Sequence, residues 1–126
     1  MSDGKRIYVV IPATVEVRNK QYVVQPPGRQ IAQACHVVSK LRFEDELDTA
    51  EIYFVPSTTI ILAARDSEEM IHVHNLLVRK GHEPVFFSDE NEAAYGNFKP
   101  ITAMAVYMLP KKTVGILDYL PLWGSQ

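Results

Sequence analysis

With 126 residues, 47% of them apolar and 22% charged, the chain suffices for one domain with a single core, which excludes a disordered polymer. A net charge of −2, from 13 basic and 15 acidic side chains, excludes the strongly basic field of a general nucleic-acid binder, although pairs at Lys5-Arg6, Arg79-Lys80 and Lys111-Lys112 leave room for a patch. One cysteine excludes an internal disulfide and a multi-cysteine metal site; with no apolar run near the ~20 residues that span a bilayer and no signal-peptide pattern, a cytoplasmic protein without membrane attachment is expected.

The β-branched and aromatic run "RIYVVIP" predicts a buried strand. "TVEVRNKQYVVQ" alternates on both sides of Asn19-Lys20 and predicts a hairpin near 14–24. "PPGRQIAQACHVVSKL" predicts a helix over about residues 27–43, with proline tolerated in its first turn because the amide it lacks has no helical partner there. At about 100° per residue, Ile31, Ala34, Cys35, Val38 and Leu41 form an apolar stripe, and Arg29, Gln33, His36 and Lys40 form a polar one. "FEDELDTAE" reads as a polar helix end and loop, and "STTIILAA" as the next strand.

"RDSEEMIHVHNLLVRKG" predicts a second helix over about 67–80. Asp66 or Ser67 caps it, Glu68 and Glu69 occupy its positive end, Arg79 and Lys80 its negative end, and Gly81 supplies a left-handed stop. "PVFFS" is a strand, "DENEAAYGNFKP" a loop or broken helical turn, and "ITAMAVYML" the last strand; the apolar "TVGILDYLPLW" docks on the body. This order predicts an α/β domain over 1–126: a small mixed four-stranded sheet with helices packed on both faces.

Few patterns carry chemistry. His72 and His74 project about 200° apart on a helix, too far to share an ion, and His74 falls in the apolar arc with Met70, Val73, Leu77 and Val78. No metal is expected. Cys35 and His36 are neighbours that point about 100° apart, so they do not form a nucleophile pair, and Cys35 reads as a small core hydrophobe. Neither glycine-rich phosphate-loop pattern is present, nor the G-x-S-x-G elbow of serine hydrolases. Asp89 ends a strand, where ligands bind in open α/β sheets, but local sequence alone favours a turn-forming or helix-capping Asp. Thr102 opens the following strand, where β propensity alone accounts for it.

Taken together, Gly28-Arg29-x-x-Ala32-Gln33-x-x-His36 resembles the first-helix motif of the type 2 peptidyl-tRNA hydrolase family, G-K-x-A-A-Q-x-x-H-A. "VFFSDENEAAYG" followed by "PITAMAV" is similar to that family's strand-Asp-turn-strand segment, and "LPLW" to its apolar tail. The resemblance spans about residues 6–123. It implies hydrolysis of the ester joining a peptide to the terminal ribose of tRNA, with no metal or cofactor, and tRNA or peptidyl-tRNA as the partner; a homodimer is compatible with it. Carried over by position, it implies Asp89, Arg29 and Thr102 as catalytic residues and Gln33, His36 and Gly28 as substrate-binding residues.

Three departures stand out. Arg29 replaces a lysine and keeps the charge without being able to release a proton. Asn91 stands in place of a glycine and Ala93 in place of a threonine, and the hairpin has no family counterpart. On this basis Arg29 is expected near Asp89, in a cleft where Asp89 orients or deprotonates a water and Arg29 stabilises the developing oxyanion. If RNA is the ligand, Arg29 is expected to share a basic surface with some of Lys5, Arg6, Lys20, Lys99, Lys111 and Lys112. The residues also leave open a non-catalytic module on the same fold that recognises an RNA end or a protein, and hydrolysis of a different small ester or amide.

Overall fold

Residues 6–18 run as one strand, β1 (Arg6–Arg18), in the computed structural model, which describes residues 4–18, 20–44 and 58–125. Most of the polar segment "FEDELDTAE" lies outside the described residues. The first half of β1 is buried because both its edges are occupied. Strand β3 (Thr59–Asp66) pairs with it in parallel from Ile7 to Thr14, and β5 (Ile101–Met108) pairs antiparallel from Arg6 to Val10. Where β5 ends, β2 (Gln21–Val24) takes over the same edge, matching Thr14 with Val24 and Arg18 with Gln21. Lys20 in the hairpin loop adopts φ 61°, the left-handed region that such tight turns require.

Strand β4 (Val85–Ser88) completes the sheet outside β5. The sheet is mixed and has five strands, one more than the four predicted, because the hairpin continues β1 and adds its return strand to the same sheet. Helix α1 (Pro27–Glu44) lies between β2 and β3, and α2 (Ser67–Arg79) between β3 and β4. The β1–β2 hairpin and α1 together carry the chain from β1 to the parallel β3, and α2 carries it from β3 to β4, as parallel strands need long crossovers.

Strand alternation sends the helices to opposite faces. Ile7, Val9, Ile11, Ala103 and Ala105 receive Ala34, Val37 and Leu41 of α1; the two alanines of β5 leave room for it. On the other face, Tyr8, Val10, Met104, Val106 and Met108 pack with Met70, Val73 and Leu77 of α2. Asp66 caps α2, its Oδ1 accepting from the Glu69 amide at 2.9 Å. At the other end Gly81 takes φ 87°, and the His82 and Gly81 amides return to the carbonyls of Leu77 and Val78, a Schellman stop.

After a 3-10 turn at Pro110–Thr113, the tail buries Ile116, Leu117 and Leu120 on the α2 side. It then crosses the outer edge of β3, where the Ala63 amide donates to Pro121 O and the Trp123 amide to Ile61 O, and Trp123 joins the α1-side core. An otherwise open strand edge is thereby covered.

Helix α1 is rotated relative to the predicted stripe. Its buried residues are Gln30, Gln33, Ala34, Val37 and Leu41, whereas Ile31 is 53% exposed and Cys35 is exposed. The buried arc is turned by about 80° toward the polar stripe at ~100° per residue. Cys35 is therefore a surface thiol and not the core hydrophobe its neighbours suggest. The reason is that Gln30 and Gln33 both find partners inside.

Candidate functional site

The N-terminal half of α1, the end of β4, the short turn α3 (Glu92–Tyr95) and the start of β5 meet at one end of the sheet. The stripe of Arg29, Gln33, His36 and Lys40 runs along this junction. Lys40 Nζ donates to Phe86 O at 2.6 Å, and the His36 ring stacks on Phe87 with centroids 5.0 Å apart. Gln33 Nε2 donates to Asp89 Oδ2, and the Arg29 guanidinium lies over the Tyr95 ring, 5.6 Å from its centroid. The stripe thus meets β4 and the turn beyond it.

Gln33 is 1% exposed and Thr102 0%. The Gln33 amide joins two strand ends, since its Oε1 accepts from the Thr102 hydroxyl at 2.9 Å while its Nε2 serves Asp89. An ionised carboxylate only accepts, so Asp89 dictates which end of the amide faces it and leaves the oxygen for Thr102. The other carboxylate oxygen, Asp89 Oδ1, accepts from the Asn91 amide at 2.9 Å, closing an Asx turn. Asn91 Oδ1 in turn accepts from the Ala93 and Ala94 amides, so the turn is built without a glycine at position 91.

Behind this pair lies a second layer that the sequence reading does not contain. Gln25, fully buried, donates through Nε2 to the carbonyls of Pro12 (2.8 Å) and Thr102 (3.4 Å) and accepts the Tyr95 hydroxyl on Oε1 at 3.1 Å. Gln30 donates to Gln25 O at 2.6 Å and accepts the Trp123 indole N–H at 2.7 Å. Among the described residues, no buried side-chain polar atom lacks a partner. Burial raises the Tyr95 phenol above its usual value; the Arg29 charge opposes this and the Asp89 charge adds to it. One signal was available for Gln30, which shares its helix face with Val37 and Leu41, but hydropathy assigns an amide to water.

Of the residues named from sequence, Arg29, Gln33, Asp89 and Thr102 converge, and His36 flanks them through Phe87. Arg29 was expected near Asp89; among the described residues no ion pair joins the two, and both charges act on Tyr95. Thr102 is too deeply buried to touch a ligand; its hydroxyl meets the equally buried Gln33, which leads on to Asp89. Gly28 is exposed in the first turn of α1, where an added Cβ would meet nothing within 4 Å.

The expected basic surface is divided. Thr102 lies level with Pro12, whereas Arg6 pairs with Met108, and Lys111 and Lys112 follow that end of β5. At about 3.3 Å per residue, Lys5, Arg6, Lys111 and Lys112 are roughly 20 Å away along the sheet. Lys20, in the turn after Arg18, lies at the opposite end of β1 from Arg6, and Lys99 pairs with Glu90 at 3.5 Å.

His72 is exposed, and His74 is half-buried with its ring stacked on Phe86 at 4.1 Å. Among the described residues, no three His, Cys, Asp or Glu side chains are grouped to hold a metal ion, and no helix is long and apolar enough to cross a membrane. A shallow depression lined by Tyr8, Leu62, Leu117, Asp118 and Leu122 lies on the α2 side, away from these residues. No protein-family model matches the chain, and no curated protein matches it significantly.

Proposed function

We propose that the protein hydrolyses the ester between an acyl group, peptidyl or blocked aminoacyl, and the terminal ribose of tRNA. The observation that carries this reading is the Gln33 bridge between Asp89 and Thr102, which links three positions drawn from the family resemblance. Each Asp89 oxygen accepts one hydrogen bond from the protein and keeps a lone pair for a water molecule. That water adds to the ester carbonyl. Arg29, permanently protonated, stabilises the negative charge that develops on the carbonyl oxygen; the acyl–oxygen bond then breaks, the water oxygen stays on the acyl group, and one proton of that water passes to the departing ribose oxygen. Asp89 orients that water and does not take its proton. Gln33 and Thr102 keep the carboxylate in place and do not touch the substrate.

A second reading is a binding module on the same fold. Arg29 in place of lysine and Ala93 in place of threonine favour it, as does an Asp89 that already serves its own turn. Turnover of a purified peptidyl-tRNA, beside an Asp89→Ala control, separates the two. Hydrolysis that falls by about a hundredfold or more in the control supports the enzyme. Binding without hydrolysis supports the module, and neither binding nor hydrolysis at low salt removes tRNA as the ligand.

A further inference from the structure

We propose that Tyr95 is the positioning residue for Arg29: its ring face seats the guanidinium, and its hydroxyl, anchored on the buried Gln25, fixes that ring beside Asp89. Arginine carries much rotamer freedom, and a guanidinium acts on a reacting group only when something holds it. Among the described residues no carboxylate forms an ion pair with Arg29; Asp89 is held by Gln33 and the Asn91 amide. What Arg29 does meet is the Tyr95 ring, within the ~6 Å range of cation–π attraction.

The ring itself cannot drift. Tyr95 is 4% exposed, and its amide donates to Asn91 O in the turn that carries Asp89. Its hydroxyl has one direction in which to donate. Gln25 turns its NH2 toward the carbonyls of Pro12 and Thr102, which only accept, so it offers Tyr95 only its oxygen. The phenol proton is committed there, and burial keeps the ring neutral with its electron-rich face toward Arg29. Arg29 is thus seated on a ring whose backbone is bonded into the turn that carries Asp89, and both charges act on the Tyr95 phenol.

Only the activity arm of the test rests on the proposed hydrolysis. In the full chain with 13C-labelled tyrosine, the Tyr95 phenol is expected to titrate above the ordinary range, and Arg29→Gln to move it further up because the opposing cation is gone. The Arg29 side-chain N–H resonance is expected to be displaced by the ring current, to stay displaced in Tyr95→Phe, and to return to the free-arginine position in Tyr95→Leu. If the protein is active, Tyr95→Leu and Arg29→Gln each lower turnover by about tenfold. The double variant then falls no further than the worse single one, a non-additivity that independent structural damage does not produce. An Arg29 resonance that is the same in wild type and Tyr95→Leu overturns the proposal, as does a Tyr95 titration indifferent to Arg29→Gln. If Tyr95→Leu fails to fold, the Arg29→Gln titration, which leaves Tyr95 intact, decides. Absence of hydrolysis by the wild type bears on the proposed function alone, since both spectroscopic arms read the unliganded protein.

Discussion

Gln33 donates to Asp89 from the buried face of α1, so a residue inside the helix–sheet interface holds the carboxylate at the exposed end of β4. The neighbouring Thr102 hydroxyl fixes the other end of the same amide. The orientation of Asp89 is therefore set from within the core.

Replacing that amide tests the arrangement. Gln33→Leu is expected to cost about 1–3 kcal/mol, because it strips a partner from both Thr102 and Asp89. Gln33→Glu places a second carboxyl against Asp89, which holds the introduced group's folded pKa above its unfolded one. A raised folded value means stability that is present at acid pH and lost as pH rises through it. Urea midpoints at pH 5 and pH 8 should show the deficit of Gln33→Glu widening at pH 8, while that of Gln33→Leu stays constant. Equal pH dependence in the two variants would mean that Gln33 does not face Asp89.

The rotation of α1 has a chemical signature. Cys35, the one cysteine, is expected to react with a thiol reagent in the native protein at close to the rate of a free thiol. Ile31→Lys should change stability by no more than about 0.5 kcal/mol, whereas Val37→Ala, at a fully buried site, should cost about 1–3 kcal/mol. Labelling of Cys35 only on unfolding would restore the stripe read from hydropathy.

The tail is joined to the second layer by Trp123, whose indole N–H meets Gln30 Oε1. Trp123→Phe keeps much of the packing and removes this donor, for an expected loss of about 1–2 kcal/mol. Combined with Gln30→Leu, the loss should be smaller than the sum of the two singles, because both remove one interaction. Strict additivity in thermal or urea unfolding would show that the two side chains are independent.

Activity, once measured, should respond to the departures from the family pattern. Arg29→Lys should preserve or raise turnover, since a lysine at that position of α1 still presents a cation. Ala93→Thr should raise it if a hydroxyl on α3 contacts the substrate. Asp89→Asn loses the charge and keeps one acceptor for its two donors, Gln33 and the Asn91 amide, so it should lose some stability and about a hundredfold in kcat. An active Asp89→Asn would remove the carboxylate from the mechanism.

Much of the fold follows from local signals. The alternation in "ITAMAVYM" sends alanines to one helix and methionines to the other, and Asp66 and Gly81 bracket α2 as their chemistry requires. Hairpin, strands and helices fall close to their expected limits because apolar periods and turn residues act over a few positions. The candidate site was legible as a set of positions, Arg29, Gln33, Asp89 and Thr102, through their likeness to a motif.

The partnerships among those positions were not legible, and neither was the layer behind them. Which face of α1 is buried depends on whether Gln30 and Gln33 find partners, and those partners, Trp123 and Thr102, come from 93 and 69 residues away. The elements, their order and the two apolar faces of the sheet rest on the period and capping chemistry of short segments and were readable without the fold. Only the tertiary structure decided that Arg29 lies on Tyr95 instead of pairing with Asp89, that Thr102 is buried, and that four of the basic residues belong to the far end of the sheet. An amide or hydroxyl is polar in every sequence scale; whether it sits in water or in the core is settled by the hydrogen-bond partner that folding brings to it.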